Sequence, residues 1–357
     1  MLRWLCVCCV LAIVSPAFAQ EHEDRQYVRP GVLAGGLAVV PGFVVHGAGA
    51  FTIGDRRAAR RLLITEAIGL GALIGGGTLL AVTGTSRRMI GVVAPITIAG
   101  FGLFMLSWLA DIYAATTGGR DAHAPGFSPR YDAELGYAYV HDPQFRYGSF
   151  ATLHADLRAH DLRLSPDAWI ALDDDNQRFT LELAYRPFGR TPRRAAPDGS
   201  YAELATAFRH HRFGSDDFAV ITPMWWIQAR LDLARVAPTL AGAFVEGQLG
   251  AGLELYDFDV RGSKLGDNAF GLLLSRFGFG AYFGDGGARS GELFAYYDHR
   301  HDDFAAGLGV QGIGSGILGH VGARGHYFIT RNWGVSGLVE LGSALVTSLA
   351  VRYRGGM

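Results

Sequence analysis

Side chains alternate between apolar and polar over much of residues 131–354, and no other feature restricts the fold of this chain so tightly. From Gln177 to Arg186, Phe179, Leu181, Leu183 and Tyr185 interleave with Arg178, Thr180, Glu182 and Arg186. Trp225, Ile227, Ala229, Leu231 and Leu233 interleave with Trp226, Gln228, Arg230 and Asp232, and Leu345, Leu349, Val351 and Tyr353 with Ser348, Arg352 and Arg354. A period of two is the repeat of a strand, whose neighbours point to opposite faces; a helix would scatter the same residues around its circumference. About a dozen such segments occur, each near the roughly 9–11 residues that a tilted strand needs to cross a bilayer. Asp142-Pro143, Asp173-Asp174-Asp175-Asn176, Gly284-Asp285-Gly286-Gly287 and Arg331-Asn332 supply turns between several of them.

Alternation alone leaves open which face is wet. A soluble sandwich packs its apolar faces on each other. A membrane barrel turns them to lipid and keeps the polar set inside. Three features select the barrel. The chain begins with an export signal. Tyr131, Tyr137, Tyr139, Tyr147, Tyr185, Phe188, Tyr327, Phe328 and Tyr353 recur near segment ends, where an interfacial girdle sits. The inward set mixes charges with glycines, as a narrow lumen filled by arginine–carboxylate pairs requires. The expected fold is mainly β: an antiparallel membrane β-barrel of about twelve strands, within roughly ten to fourteen, over residues 131–354. Closure leaves no strand edge unpaired in lipid.

Residues 1–19 read as a signal peptide, with Arg3, an apolar run from Leu5 to Val14, and the small-x-small site Ala17-Phe18-Ala19. Cys6, Cys8 and Cys9 are the chain's three cysteines. Removal of the leader would leave no disulfide, thiol nucleophile or cysteine–metal site. The net charge of −1 gives no electrostatic footprint for nucleic acid. A composition that is 49% hydrophobic and 18% charged suits a membrane protein.

Residues 20–113 form an apolar N-terminal region. Leu62 to Val82 and Met89 to Tyr113 are each long enough to cross about 30 Å of hydrocarbon as a helix. Arg87 and Arg88 lie in the connection, so a transmembrane-type helical hairpin (62–82, 89–113) is expected, with Gly71 and Gly75 at the close approach. Residues 114–130, with Gly118, Gly119, Pro125, Gly126 and Pro129, read as a linker. The hairpin has three possible placements: two spans in the inner membrane, three spans if Gly31–Gly54 also crosses, or association with the barrel. Glu66 and Asp111 fall at one level near Arg57, Arg60 and Arg61, where they are expected to snorkel and pair with arginine instead of relaying protons.

The string Pro41-Gly42-Phe43-Val44-Val45-His46-Gly47-Ala48-Gly49-Ala50-Phe51, followed by Gly54-Asp55, resembles the Pro-Gly, Gly-aromatic and Gly-Asp pattern of small membrane hairpin modules of the TM2 type. That resemblance implies a membrane hairpin and no chemistry. The pattern of residues 131–354 resembles Gram-negative outer-membrane β-barrel proteins as a class. It implies an outer-membrane location, membrane lipid as the surrounding partner, and the outer-membrane assembly machinery as a transient one. Barrels of this class usually end on an aromatic residue, whereas Tyr353 is followed here by Arg354-Gly355-Gly356-Met357.

Motifs that carry chemistry are sparse. His299, His301 and Asp303 share a face if their strand continues, and two imidazoles with a carboxylate suit a divalent metal. A solvated hairpin tip is the competing expectation for the same string. For hydrolysis the candidates are His154 with Asp156, and His320 with His326, on inward faces; none has a serine at a diagnostic spacing. The expectation is therefore a structural or transport-related barrel, non-catalytic, with no cofactor and no metal. Alternatives are an outer-membrane hydrolase acting on lipid or peptide, and an inner-membrane-anchored periplasmic β domain that binds a partner. A lumen of this width is close to filled by its own side chains, so little open conductance is expected.

Overall fold

The computed structural model describes residues 31–83, 87–118, 123–143, 147–213, 218–258, 269–284, 286–300, 303–305 and 319–356. The leader over 1–19, its cysteines, and His301 lie outside the described residues. Twelve strands occur among those described: β1 Tyr131–His141, β2 Gly148–Ala159, β3 Leu162–Ala171, β4 Gln177–Phe188, β5 Tyr201–Phe213, β6 Phe218–Asp232, β7 Ala243–Phe258, β8 Ala269–Gly284, β9 Ser290–Asp298, β10 His320–Phe328, β11 Trp333–Leu341 and β12 Leu345–Gly355. Each pairs antiparallel with its sequence neighbours. β1 also pairs with β12, from Tyr131 opposite Gly355 to His141 opposite Leu345, and this pairing closes the barrel. An even strand count brings both ends of the sheet to one mouth, here termed terminal; the β9–β10 connection lies at the other, the distal mouth.

The apolar half of the alternation faces out. Phe179, Leu181, Leu183 and Tyr185 are 43–51% exposed, and Leu249, Leu253, Leu349 and Val351 are exposed likewise. Tyr131, Tyr185, Phe188, Phe283, Tyr327 and Trp333 ring the terminal end, the level at which amphipathic rings sit between lipid and water. A continuous apolar band of this extent is stable only against acyl chains, so the closed barrel has the outer face of a membrane-spanning one. Cysteines placed at Leu181 and Leu253 are expected to react with lipid-soluble labels and to resist aqueous ones in intact outer membranes. Ready aqueous labelling of folded protein at both positions would refute the lipid assignment.

Four α-helices precede the barrel among the described residues: α1 Val32–Val39, α2 Ala48–Thr52, α3 Arg56–Val82 and α4 Arg87–Thr117. α3 starts before Leu62 because Asp55 caps it, its carboxylate accepting from the Ala58 amide at 2.8 Å. α4 runs past Tyr113 into the expected linker. Both long helices meet the length and apolarity of a membrane span. Their close approach is made by Gly69 and Gly100, not by Gly71 and Gly75. A Cβ at Gly100 would stand 2.5 Å from the Leu73 nitrogen, and one at Gly69 2.7 Å from that of Phe104, whereas Gly71 and Gly75 have nothing within 4 Å.

Of the three placements, the structure adopts association with the barrel. α4 lies against the outer face of β8 and β9. Phe101 packs on Phe277 and Tyr297 with ring centroids at 5.9 and 6.4 Å, and Tyr113 packs on Phe279 at 5.9 Å. At the terminal end the Tyr113 hydroxyl donates to the Ala241 carbonyl at 3.1 Å, Thr239 donates to Asp55 at 2.6 Å, and Arg61 donates to the Val236 carbonyl. The pair thus covers one sector of the greasy wall and leaves the remainder to lipid. Glu66 and Asp111 also act differently from expectation. Glu66 accepts the His46 amide at 2.9 Å, and Asp111 accepts the amides of Gly49 at 3.1 Å and Ala50 at 2.8 Å. The first amides of α2 have no partner within the helix, and being buried they need an acceptor.

Candidate functional site

In a closed barrel the inward residues of paired strands meet at their register positions, so pairing fixes the ionic pattern of the lumen. Arg230 of β6 stands opposite Glu246 of β7, and Glu134 of β1 opposite Arg352 of β12. These ion pairs measure 2.8 and 2.9 Å. Glu246, 2% exposed, also holds Arg324 at 3.2 Å and Arg276 at 3.7 Å and accepts the Tyr201 phenol at 2.8 Å. Arg230 reaches across to Glu292 of β9 at 2.6 Å. A second node centres on Glu203, 3% exposed, with Arg186 at 2.8 Å, Arg163 at 3.2 Å and Arg158 at 4.0 Å. Arg163 continues the lattice to Asp156 at 3.1 Å and to Glu182. Charges this deep are tolerated because each is met by opposite charge and hydrogen bonds. Inward glycines make room for rings in the same lumen: a Cβ at Gly280 would meet the Phe244 ring at 2.2 Å.

At the distal mouth the chain after β9 turns into the lumen. Asp303 pairs with Arg178 of β4 at 3.1 Å. Phe304 is fully buried among Tyr147, Phe150, Trp169 and His211, with ring centroids 5.0–5.6 Å away. The Arg178 guanidinium lies 4.6 Å from the Phe304 ring and 4.4 Å from that of Trp169, a cation–π arrangement that uses the ion pair's cation twice. The Ala305 carbonyl accepts the Ala344 amide at 3.2 Å and the Ser343 hydroxyl at 3.0 Å. Burial pushes the Asp303 carboxyl up, but the cations of Arg178, Arg209 and Arg300 outweigh it and hold the group below the usual carboxylate range.

The terminal mouth is crossed by the linker. α4 ends on the β7–β8 side, while β1 stands on the opposite wall, so the connection must traverse the opening. Gly126 donates its amide to the Gly286 carbonyl at 3.0 Å, Arg190 donates to the Pro125 carbonyl, and the Phe127 ring lies 4.5 Å from the Arg354 guanidinium. Beneath this strap is a cavity of about 230 Å³.

The residues singled out from sequence are distributed as follows. His154 and Asp156 both face the lumen from β2, 3.8 Å apart, with Asp167 at 3.6 Å from His154. Ser165 is nearby, but its hydroxyl donates to Asp156, which Arg158 and Arg163 also hold. The serine–imidazole hydrogen bond that would activate a nucleophile is not among these contacts. His320 stands at the distal end, 3.6 Å from Glu340, whereas His326 lines the terminal cavity. At roughly 3.3 Å per residue they are about 20 Å apart along β10, so the fold does not bring them together. β9 ends at Asp298, so His299 and Asp303 do not share the strand face expected for them. His299 meets the phenol of Tyr297 at 2.9 Å, on a ring that packs toward α4, while Asp303 turns into the lumen. No metal-holding group of three His, Cys, Asp or Glu occurs among the described residues. Phe304 and Arg190 were not singled out from sequence, and Arg354 was placed only by alternation, as an inward residue of the last strand. Phe304 had one signal, a lone aromatic after the polar string Asp298-His299-Arg300-His301-Asp302-Asp303; Arg190 had none.

No family model and no curated protein matches the chain. Solved structures of similar fold include the KdgM porin in complex with disordered oligogalacturonate, at 10% identity over 62% of this chain and 98% of that one, with a TM-score of 0.36. The outer membrane protein Omp33 of Acinetobacter baumannii is 10% identical over 64% and 99%, TM-score 0.31. Outer membrane phospholipase A of Escherichia coli is 11% identical over 64% and 92%, TM-score 0.32.

Proposed function

We propose that this outer-membrane barrel has a transport-related, non-catalytic role, as a passage shut at rest by Asp303-Phe304-Ala305. The seating of Phe304 carries the reading. The wall is held by hydrogen-bonded ladders, whereas this segment belongs to a connection and its contacts among the described residues include an aromatic cage, the Asp303–Arg178 ion pair and two bonds to the Ala305 carbonyl. Such a part can leave its seat without breaking the barrel. In this reading the terminal mouth faces the periplasm, where an exported chain begins its insertion.

Single-channel recording in planar bilayers tests it. Wild-type protein is expected to conduct little. Phe304→Ala combined with Asp303→Asn should raise open probability about tenfold or more, since burial of a Phe side chain contributes several kcal/mol to the seat. Silence of both proteins sinks the transport reading. The seat should also respond to acid. Asp303, with its folded pKa below the unfolded one, stabilises the seat above about pH 4 and loses that contribution as pH falls further. It faces Arg178, Arg209, Arg300, His211 and His320. Openings induced below about pH 4 are expected in wild type, and Asp303→Asn should not show this acid response. Phospholipid hydrolysis by wild type that His154→Ala abolishes would overturn the non-catalytic half of the proposal.

A further inference from the structure

The terminal cavity has more cation than its own carboxylates neutralise. Six arginines line it against four carboxylates, Asp132, Asp156, Asp198 and Glu292, and Asp198 is taken by Arg235. Four of them have carboxylate partners: Arg158 with Asp156, Arg186 with Glu203, Arg230 with Glu246 and Glu292, and Arg352 with Asp132 and Glu134. Arg190 and Arg354 have none among the described residues. Arg190 donates only to the carbonyls of Pro125 and Ala196. Arg354, 2% exposed, donates to the carbonyls of Arg331, Gly287 and Ala288 and to the Ser290 hydroxyl, and lies over the Phe328 ring at 3.6 Å. Carbonyl dipoles orient these guanidiniums, and the carboxylate field that reaches Arg354 comes from Asp132, which Arg352 already holds. A second, independent feature sits on the same wall: the buried Tyr282 hydroxyl has no acceptor for its proton among the described residues, and the Arg230 guanidinium beside it can only donate. Buried polar groups in native proteins are nearly always satisfied, so a donor without a partner beside surplus positive charge marks a place for an acceptor.

The geometry points to a binding site for a small soluble oxyanion, a carboxylate or phosphate carried on a solute of about a dozen non-hydrogen atoms, held under the linker. The size follows from the cavity of about 230 Å³. The charge follows from Arg190 and Arg354, and the orientation from the Tyr282 hydroxyl. A lipid headgroup is disfavoured because the cavity opens inside the lumen, away from the acyl belt. Arg190 gives the site a link to the linker, since the same guanidinium that faces the anion tethers Pro125. The site is independent of whether the barrel conducts, because binding is read at equilibrium in the closed protein.

Equilibrium dialysis of the full-length protein in detergent tests this, with radiolabelled inorganic phosphate and, separately, glucuronate as probes. Saturable binding of at least one probe is expected, and which one binds identifies the oxyanion. Affinity should fall about 10- to 100-fold in Arg190→Gln and in Arg354→Gln, the worth of one charge-assisted hydrogen bond. It should be kept in Arg190→Lys, which preserves the charge, and in Arg56→Gln, which removes an equal charge from the exposed start of α3. It should also weaken as salt is raised. Absence of saturable binding by both probes overturns the proposal. So does an unchanged affinity in folded, heat-modifiable Arg190→Gln and Arg354→Gln, or a loss in Arg56→Gln of the same size.

Discussion

Glu203→Ala is expected to destabilise the barrel by about 3–5 kcal/mol, whereas Glu182→Ala, one strand away on the same lattice, should cost about 1 kcal/mol or less. The difference comes from what each deletion strands. Glu203 is the only carboxylate described for Arg186 and also neutralises Arg163 and Arg158. Its removal leaves a buried guanidinium without counter-charge. Among the described residues Glu182 is held by Arg163 alone, and Arg163 keeps Asp156 and Glu203 when Glu182 is gone. Urea midpoints in lipid vesicles, read as loss of the fast-migrating, heat-modifiable gel band, measure both. Equal losses for the two variants would mean that the lumen lattice is hydrated and screened throughout, and the account of Glu203 as a buried node would fail.

Gly100→Leu is expected to separate α3 from α4, while Gly71→Leu leaves the pair intact. A side chain at Gly100 would meet the Leu73 nitrogen at 2.5 Å and the Gly69 carbonyl at 2.8 Å. Those are backbone atoms, which cannot rotate away, so the whole helix must move, at an overpacking cost of about 1–3 kcal/mol. Gly71 lies in the same kind of helix with open space where its Cβ would be, and the propensity gain of replacing Gly by Leu is shared by both sites. Spin labels at Ile68→Cys and Leu103→Cys, both on exposed positions, report the separation by pulsed dipolar spectroscopy. A longer, broader distance distribution is expected in Gly100→Leu only. The same distribution in both variants would place the helix contact elsewhere.

The glycine result shows how much of such a contact the sequence carries. Gly71 and Gly75 have the four-residue spacing of a helix–helix approach, yet the contact is made by Gly69 and Gly100, neither of which has a glycine four residues away. Spacing says that a smooth face exists and not which way it points. The histidines teach the same lesson. His154 and Asp156 fall two apart on β2, and the pleat alone places them together on the lumen wall. His320 and His326 share a face for the same reason, yet β10 holds them at opposite ends. For His299 and Asp303 the inference depended on a strand continuing past Asp298. The strand stops there, and the next residues are drawn inward by Arg178 and the aromatic cage, partners far away in the chain.

Period-two alternation by itself determined that residues 131–354 form membrane strands, which side chains meet lipid, and that the lumen is ionic. Apolar length by itself determined the helical hairpin. Each of these is a property of a residue's own backbone and its nearest neighbours. Only the tertiary structure decided that β1 closes on β12, that the hairpin lies on the outer wall at β8 and β9, that the linker reaches the terminal mouth, and that Phe304 is seated in an aromatic cage at the distal one. These depend on which distant surfaces meet once the sheet has closed. Closure sets the distances between residues hundreds of positions apart, and no local period encodes them.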